Sequence, residues 1–165
     1  MEPPAEAWRG RARPGLVLPE GIEAGLIGGL AVAAVFLVRD FAIGEPLYTP
    51  SMLGALLVEG AEAAARTEPT AGAAALYHAV HFFLWIALGF AASALFALVE
   101  RRPSRRGLLI AAALLSLLPL AALDAATRGS AIVLLHLRVG GIVGLLAMGA
   151  FLGWRHPGAL RRGAR

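Results

Sequence analysis

Residues 69–99 read PTAGAAALYHAVHFFLWIALGFAASALFALV, 31 consecutive residues without an Asp, Glu, Lys or Arg. A helix needs about 20 apolar residues to cross the hydrocarbon core of a bilayer. This stretch exceeds one perpendicular crossing, so a helix over 71–99 tilts or projects from the membrane. Three further apolar stretches flank it. Residues 24–38 carry no charge, and the apolar run resumes through Phe41, Ala42 and Ile43, giving a span over 21–43. Residues 107–123 are also uncharged and give a span over 107–122. A fourth span, 131–154, is interrupted by Arg138 alone. The reading is an all-α polytopic membrane protein, with four transmembrane helices in an antiparallel bundle.

Composition agrees. The chain has 165 residues and a mean hydropathy of +0.71. With Gly counted and Tyr not, about 69% of it is apolar, against roughly 45–50% for a soluble domain. The length allows one domain, and a globule of that size cannot bury such an excess. An ordinary water-soluble enzyme is therefore disfavoured. There is no cysteine, which removes disulfides, Cys-ligated iron–sulfur clusters, c-type haem, thiol nucleophiles and Cys-linked lipids.

The charges orient the bundle. All 15 basic residues are Arg. Arg9, Arg11 and Arg13 precede the first span; Arg101, Arg102, Arg105 and Arg106 fill one short loop; Arg155, Arg161, Arg162 and Arg165 close the chain. Basic flanks resist translocation, so residues 1–20, the loop after the second span and the tail over 155–165 are expected on the cytoplasmic side. The first span could pass for a signal peptide, but its apolar stretch is too long and lacks a suitably placed small-residue cleavage site. The sequence pI of 10.9 does not imply nucleic acid, because no aromatics interleave the Arg clusters. Anionic lipid headgroups are the expected counterpart.

Local signals place the loops. Thr49-Pro50 reads as an N-cap followed by an N1 proline. Met52, Leu53, Leu56 and Leu57 then recur at helical spacing. That run is too short to span, so a surface or partly re-entrant helix over 50–65 is expected in the outer interface. Ser104 and Ser130 read as N-caps and Gly129 as a C-cap. Pro119 is expected to kink the third span rather than break it. Small residues recur four apart: Gly21, Gly25 and Gly29; Gly89 and Ser93; Gly140 and Gly144; Gly149 and Gly153. Such stripes let helix backbones approach closely in lipid, within the chain or against another subunit. Gly and Ala are frequent enough here that some repeats arise by chance.

Ionisable residues inside membranes are candidates for function by default. With the orientation above they gather toward the outer face: Arg39 and Asp40, His78 and His81, Asp124 and Arg128, His136 and Arg138. His78 and His81 share a helix face, and His136 enters the fourth span from the same side. If they converge, they could hold a haem b through two imidazoles, or a metal with Asp40 as a carboxylate ligand. The plainer alternative is that each His hydrogen-bonds a neighbouring carbonyl or hydroxyl. His136 and Arg138 differ by about 200° around a helix and cannot face one site. Arg138 is expected to pair with Asp40 or Asp124, or to snorkel outward. Asp124–Arg128 reads as a helix-end ion pair. His156, next to Trp154 and Arg155, reads as a tail residue without a role. Walker, dinucleotide, H-E-x-x-H and G-x-S-x-G signatures are missing, and no serine has an activating base placed by spacing.

Two segments carry a resemblance: Ala24-Gly25-Leu26-Ile27-Gly28-Gly29, and Gly44-Glu45-Pro46-Leu47-Tyr48-Thr49-Pro50-Ser51-Met52-Leu53-Gly54. They resemble the first hairpin of small bacterial four-span membrane proteins bearing a Gly-x-Pro-Leu-x-Thr-Pro motif, over about the first half of the chain. The His-bearing second span is similar too. The resemblance implies a bacterial inner membrane and four helices, and it brings no activity. The expected role is a structural or accessory subunit, packed against a larger membrane complex or self-associated. The rival is a haem- or metal-binding redox protein using His78, His81 and His136. A transporter or channel ranks third, because the cytoplasmic halves of the spans look too apolar.

Overall fold

A computed structural model describes residues 17–64, 66, 68–102, 108 and 131–160. Helices follow one another as α1 (Val17–Ala42), α2 (Tyr48–Glu59), α3 (Ala61–Ala64), α4 (Ala71–Arg101), α5 (Ala131–Arg155) and α6 (Pro157–Leu160), and the described residues contain no strand. The fold is all-α. Helices α1 and α4 are long and apolar enough to cross a membrane. At 1.5 Å per residue they measure about 39 and 46 Å, against a hydrocarbon core of about 30 Å. The expected third span, 107–122, lies outside the described residues apart from Leu108, as do Asp124, Arg128 and the caps at Ser104, Gly129 and Ser130.

α1 starts at Val17, ahead of the expected residue 21. Pro19 is tolerated there because first-turn N–H groups have no intrahelical acceptor to lose. The helix ends at Ala42, and Gly44 turns the chain with φ +78°. α4 has a proper N-cap: the Thr70 side chain accepts a hydrogen bond from the Ala73 N–H at 3.3 Å.

Helix α1 is the hub, running antiparallel to both α4 and α5. Gly21 meets Phe90, Gly25 meets Ile86 and Gly29 meets Phe82, so α1 numbers rise as α4 numbers fall. Phe36 and Val32 sit on Gly140, and Arg155 reaches Glu20, which gives the same sense for α5. Glycines decide how close the helices come. A Cβ on Gly89 would lie 2.6 Å from the Gly25 nitrogen, and one on Gly25 would lie 2.5 Å from the Ile86 Cα. These are backbone atoms that no rotamer change can move aside. Trp85 fills the space between α1 and α5, its ring against Gly28 and Gly144. Below it, Ala24, Met148 and Leu152 are buried with Leu88, Ala92 and Phe96 around them. Among the described residues, by contrast, none lies within 4 Å of a Cβ built on Gly149, and Gly153 meets the Leu160 side chain. The stripe reading thus describes contacts at Gly25, Gly29, Gly89, Gly140 and Gly144.

The segment after α1 also departs from expectation. In place of one interfacial helix over 50–65 there are two, α2 and α3, separated at Gly60 with φ +89°. α2 begins at Tyr48 with Leu47 in the cap position and no side-chain cap. Thr49 and Pro50 are therefore second and third in the helix, not N-cap and N1. Nor does α2 merely lie on the surface. Met52 and Leu53 are buried with Ala64 against Tyr48, Leu56 and Tyr77, and Gly54 rests on the Ala73 backbone. This packing covers the first turns of the overlong α4. The Ser51 hydroxyl both donates to the Thr70 carbonyl (2.9 Å) and accepts from the Thr70 N–H (3.0 Å), joining the two helix starts.

Candidate functional site

Buried polar groups collect at both ends of the bundle. At the first end Asp40, in the last turn of α1, is completely buried. Its Oδ2 accepts the Thr49 N–H at 2.7 Å, and its Oδ1 accepts the Thr49 hydroxyl at 2.6 Å and Arg39 Nη1 at 2.9 Å. Arg39 also donates to Thr49 Oγ1 at 3.3 Å, and its guanidinium stands 5.3 Å from the Tyr48 ring centre. The α2 start lacks a cap of its own, and the Asp40 carboxylate, brought back by the Gly44 turn, supplies the missing acceptor. A negative charge there also suits the positive end of the α2 dipole. The threonine of Gly-x-Pro-Leu-x-Thr-Pro is thus a tether between α1 and α2.

Further along the α1–α4 contact lie the histidines of α4. His81 Nε2 is 3.1 Å from the Gly29 carbonyl of α1, and Nδ1 is 3.0 Å from the Tyr77 hydroxyl. A carbonyl can only accept, so in the neutral imidazole Nε2 carries the proton and Nδ1 accepts from Tyr77. Both nitrogens are then engaged. His78 Nδ1 donates to the Ala74 carbonyl of its own helix at 2.7 Å. The two rings are not aimed at a shared ligand: one joins helices, the other bonds back along α4. His136 lies on α5, and its side chain is outside the described residues. As placed, His81 has no nitrogen left for haem iron or another metal, so a ligand set that includes it does not fit this arrangement. Among the described residues no group of three or more His, Cys, Asp or Glu side chains is placed to hold a metal. Arg138 is on the exposed side of α5.

A cavity of about 430 Å³ opens between α1, the start of α2 with the two residues before it, and α4. Leu30, Phe36, Leu37 and Leu47 supply apolar wall, with Asp40 and His78 among the few polar lining groups.

The opposite end holds what the sequence reading missed. Glu20 in the first turn of α1, Glu100 near the end of α4 and His156 just after α5 meet in one cluster. His156 Nδ1 lies 2.8 Å from Glu100 Oε2, and Nε2 lies 3.1 Å from Glu20 Oε2. Arg155 Nε donates to Glu20 Oε1 at 3.2 Å, and its Nη2 is 3.7 Å from Glu23 Oε2. Ser93 donates to Glu20 Oε2 at 3.4 Å. Glu20 is 5% exposed, His156 4% and Ser93 0%. Glu20 and Arg155 each sit at the helix end whose dipole favours their charge, whereas Glu100 opposes the dipole of α4 and has His156 to offset it. His156 is therefore far from idle, and the ionisable groups do not gather only at the expected outer face. Within the expected tail, the His156 N–H bonds the Leu152 carbonyl and Ala159 is buried, so α6 folds back onto the bundle. The one sequence signal for this is Pro157, which cannot continue α5 and turns the chain at His156.

No family model, curated protein or solved structure matches this chain, so its role rests on the residues themselves.

Proposed function

We propose that the chain is a four-span protein of a bacterial inner membrane, with both termini cytoplasmic, acting as a non-catalytic structural or accessory subunit. What carries this reading is the use made of buried polarity. Each buried polar side chain among the described residues (Glu20, Asp40, Thr49, Ser51, His81, Ser93 and His156) is hydrogen-bonded to another part of the protein. Most of those bonds join one helix to another. Catalysis calls for polar groups aimed at a substrate; these are aimed at neighbouring helices, where they add to glycine-mediated packing. A third crossing is supported by helix direction. α4 and α5 both run antiparallel to α1, so α4 ends at the opposite end of the bundle from the one at which α5 begins. The Arg distribution supports cytoplasmic termini.

The outer surface offers somewhere for a partner or lipid to sit. Val38, Phe83 and Leu146 are each about 70% exposed, on α1, α4 and α5 respectively. The partner is a larger membrane complex or a second copy of this chain. Native mass spectrometry after gentle detergent extraction tests the reading, with recovery in a defined assembly as the expected result. A monomer without any protein partner would overturn it. Orientation is tested separately, since the chain has no cysteine of its own. Leu57→Cys should label from outside the cell and Arg102→Cys only from inside.

A further inference from the structure

The geometry points to a proton-operated clamp in the Glu20–His156–Glu100 bridge, holding the C-terminal arm against the ends of α1 and α4. Each ring nitrogen of His156 faces a different carboxylate, at 2.8 and 3.1 Å. A neutral imidazole carries one N–H and can satisfy only one of them. The other contact would set a nitrogen lone pair against carboxylate lone pairs. Both contacts hold only when the cluster carries one proton more than a neutral imidazole and two carboxylates. That proton makes either an imidazolium or a carboxylic acid, and the count is the same.

The surrounding charges agree. From α1 the cluster is faced by Glu20 and, through Arg155, by Glu23; from α4 by Ser93 and Glu100, with the Phe96 ring 6.1 Å from the imidazole; from α5 by Arg155. Arg101 and Arg102 are exposed at the end of α4. With the extra proton, Glu20 and Glu100 balance His156 and Arg155. Without it, a net negative charge remains among groups nearly removed from water, which a low-dielectric site disfavours.

What the clamp holds is the arm itself. Ala159 N–H bonds the His156 carbonyl, Ala159 is 1% exposed, and Gly158 packs on the Glu100 side chain. Repulsion between His156 and Glu100 therefore lifts α6 and whatever follows it. The clamp closes as the proton is taken up and opens as pH rises. It requires neither the orientation nor the partner proposed above.

Spin labels on Leu18→Cys and Leu160→Cys, both exposed positions, measure the gap between the α1 start and the arm. Distances are recorded between about pH 5.5 and about pH 9, bracketing ordinary imidazole titration and staying above that of carboxylates. The expected wild-type result is a narrow distribution at the acid end that broadens reversibly to longer distances at the alkaline end. A pair on Leu26→Cys and Phe83→Cys should not move. Glu100→Gln gives the sharper test. Its amide can donate to the unprotonated Nδ1, so the clamp should stay closed at both pH values. His156→Leu should be broad at both. A wild-type distribution that ignores pH, or a Glu100→Gln arm that loosens at every pH, would overturn the clamp even if His156→Leu failed to fold.

Discussion

Two alanine substitutions of the same chemistry should move stability in opposite directions. At Gly89 an added Cβ would lie 2.6 Å from the Gly25 nitrogen and 2.9 Å from its Cα. Ordinary contacts begin near 3.4 Å, so α1 and α4 must separate by about 1 Å along their closest approach. Backbone atoms cannot rotate away, and overpacking of this kind costs about 1–3 kcal/mol. Against that stands the intrinsic helix preference of Ala over Gly, up to about 1 kcal/mol. From the middle of the first range Gly89→Ala should therefore lose about 1 kcal/mol, and at most about 2. At Gly149 no described residue lies within 4 Å; with no such neighbour to overpack, Gly149→Ala should gain up to about 1 kcal/mol. The assay is unfolding of purified protein in mixed micelles titrated with sodium dodecyl sulfate, read by tryptophan fluorescence. Trp85, between Gly28 and Gly144, reports directly on the interface. If Gly89→Ala matched wild type within about 0.5 kcal/mol, close approach would not be what holds these helices. A loss at Gly149 equal to that at Gly89 would mean α5 has a neighbour on that face.

Three further outcomes follow from the polar contacts and the core. Asp40→Ala leaves the buried Thr49 N–H without its acceptor, while the half-exposed Arg39 keeps Thr49 Oγ1, and should cost about 1–3 kcal/mol. Hydrogen exchange should rise across 48–59 before it rises in α4; uniform exchange would contradict the tether. Trp85→Ala empties the space between Gly28 and Gly144 and should cost about 3–5 kcal/mol in the same titration read by circular dichroism, whereas a loss below about 1 kcal/mol would mean the bundle collapses into the gap. His81→Phe removes the bond to Gly29 and should cost about 1 kcal/mol. Prolonged chelator treatment should leave both wild type and this variant unchanged; destabilisation of wild type alone would put a metal on His81.

Helix placement was largely legible because hydropathy is a local property: α4 begins at the expected Ala71 and overruns the expected end only to Arg101. Contacts between helices were legible where they depended on one residue's size, as at Gly25 and Gly89. At Gly149 the four-residue spacing marks a face without saying what lies opposite. Polar partnerships were the least legible. Thr49 announces a helix start, but its acceptor Asp40 is reached only through the positive-φ turn at Gly44. Glu20 and His156 are 136 residues apart, and each taken alone has an ordinary explanation, a charge on a helix dipole and a residue beyond a span. Their meeting follows from the antiparallel pairing of α1 with α5 and the reversal at Pro157, neither of which a window of sequence contains.

The packing of α2 against α4 also constrains the order in which the protein can be assembled. Synthesis proceeds from the N-terminus, so α1 and the Asp40–Thr49 tether can form as soon as α2 has been made. The partners that bury the other side of α2, the Ala73 backbone beneath Gly54, Thr70 beside Ser51 and Tyr77 over Met52, come later in the chain. Until they arrive, Met52 and Leu53 present an apolar face on a helix too short to cross the bilayer. The newborn chain therefore passes through a stage in which α2 is anchored at one end and uncovered along its length. That helix stays uncovered on this side until the start of α4 is in place.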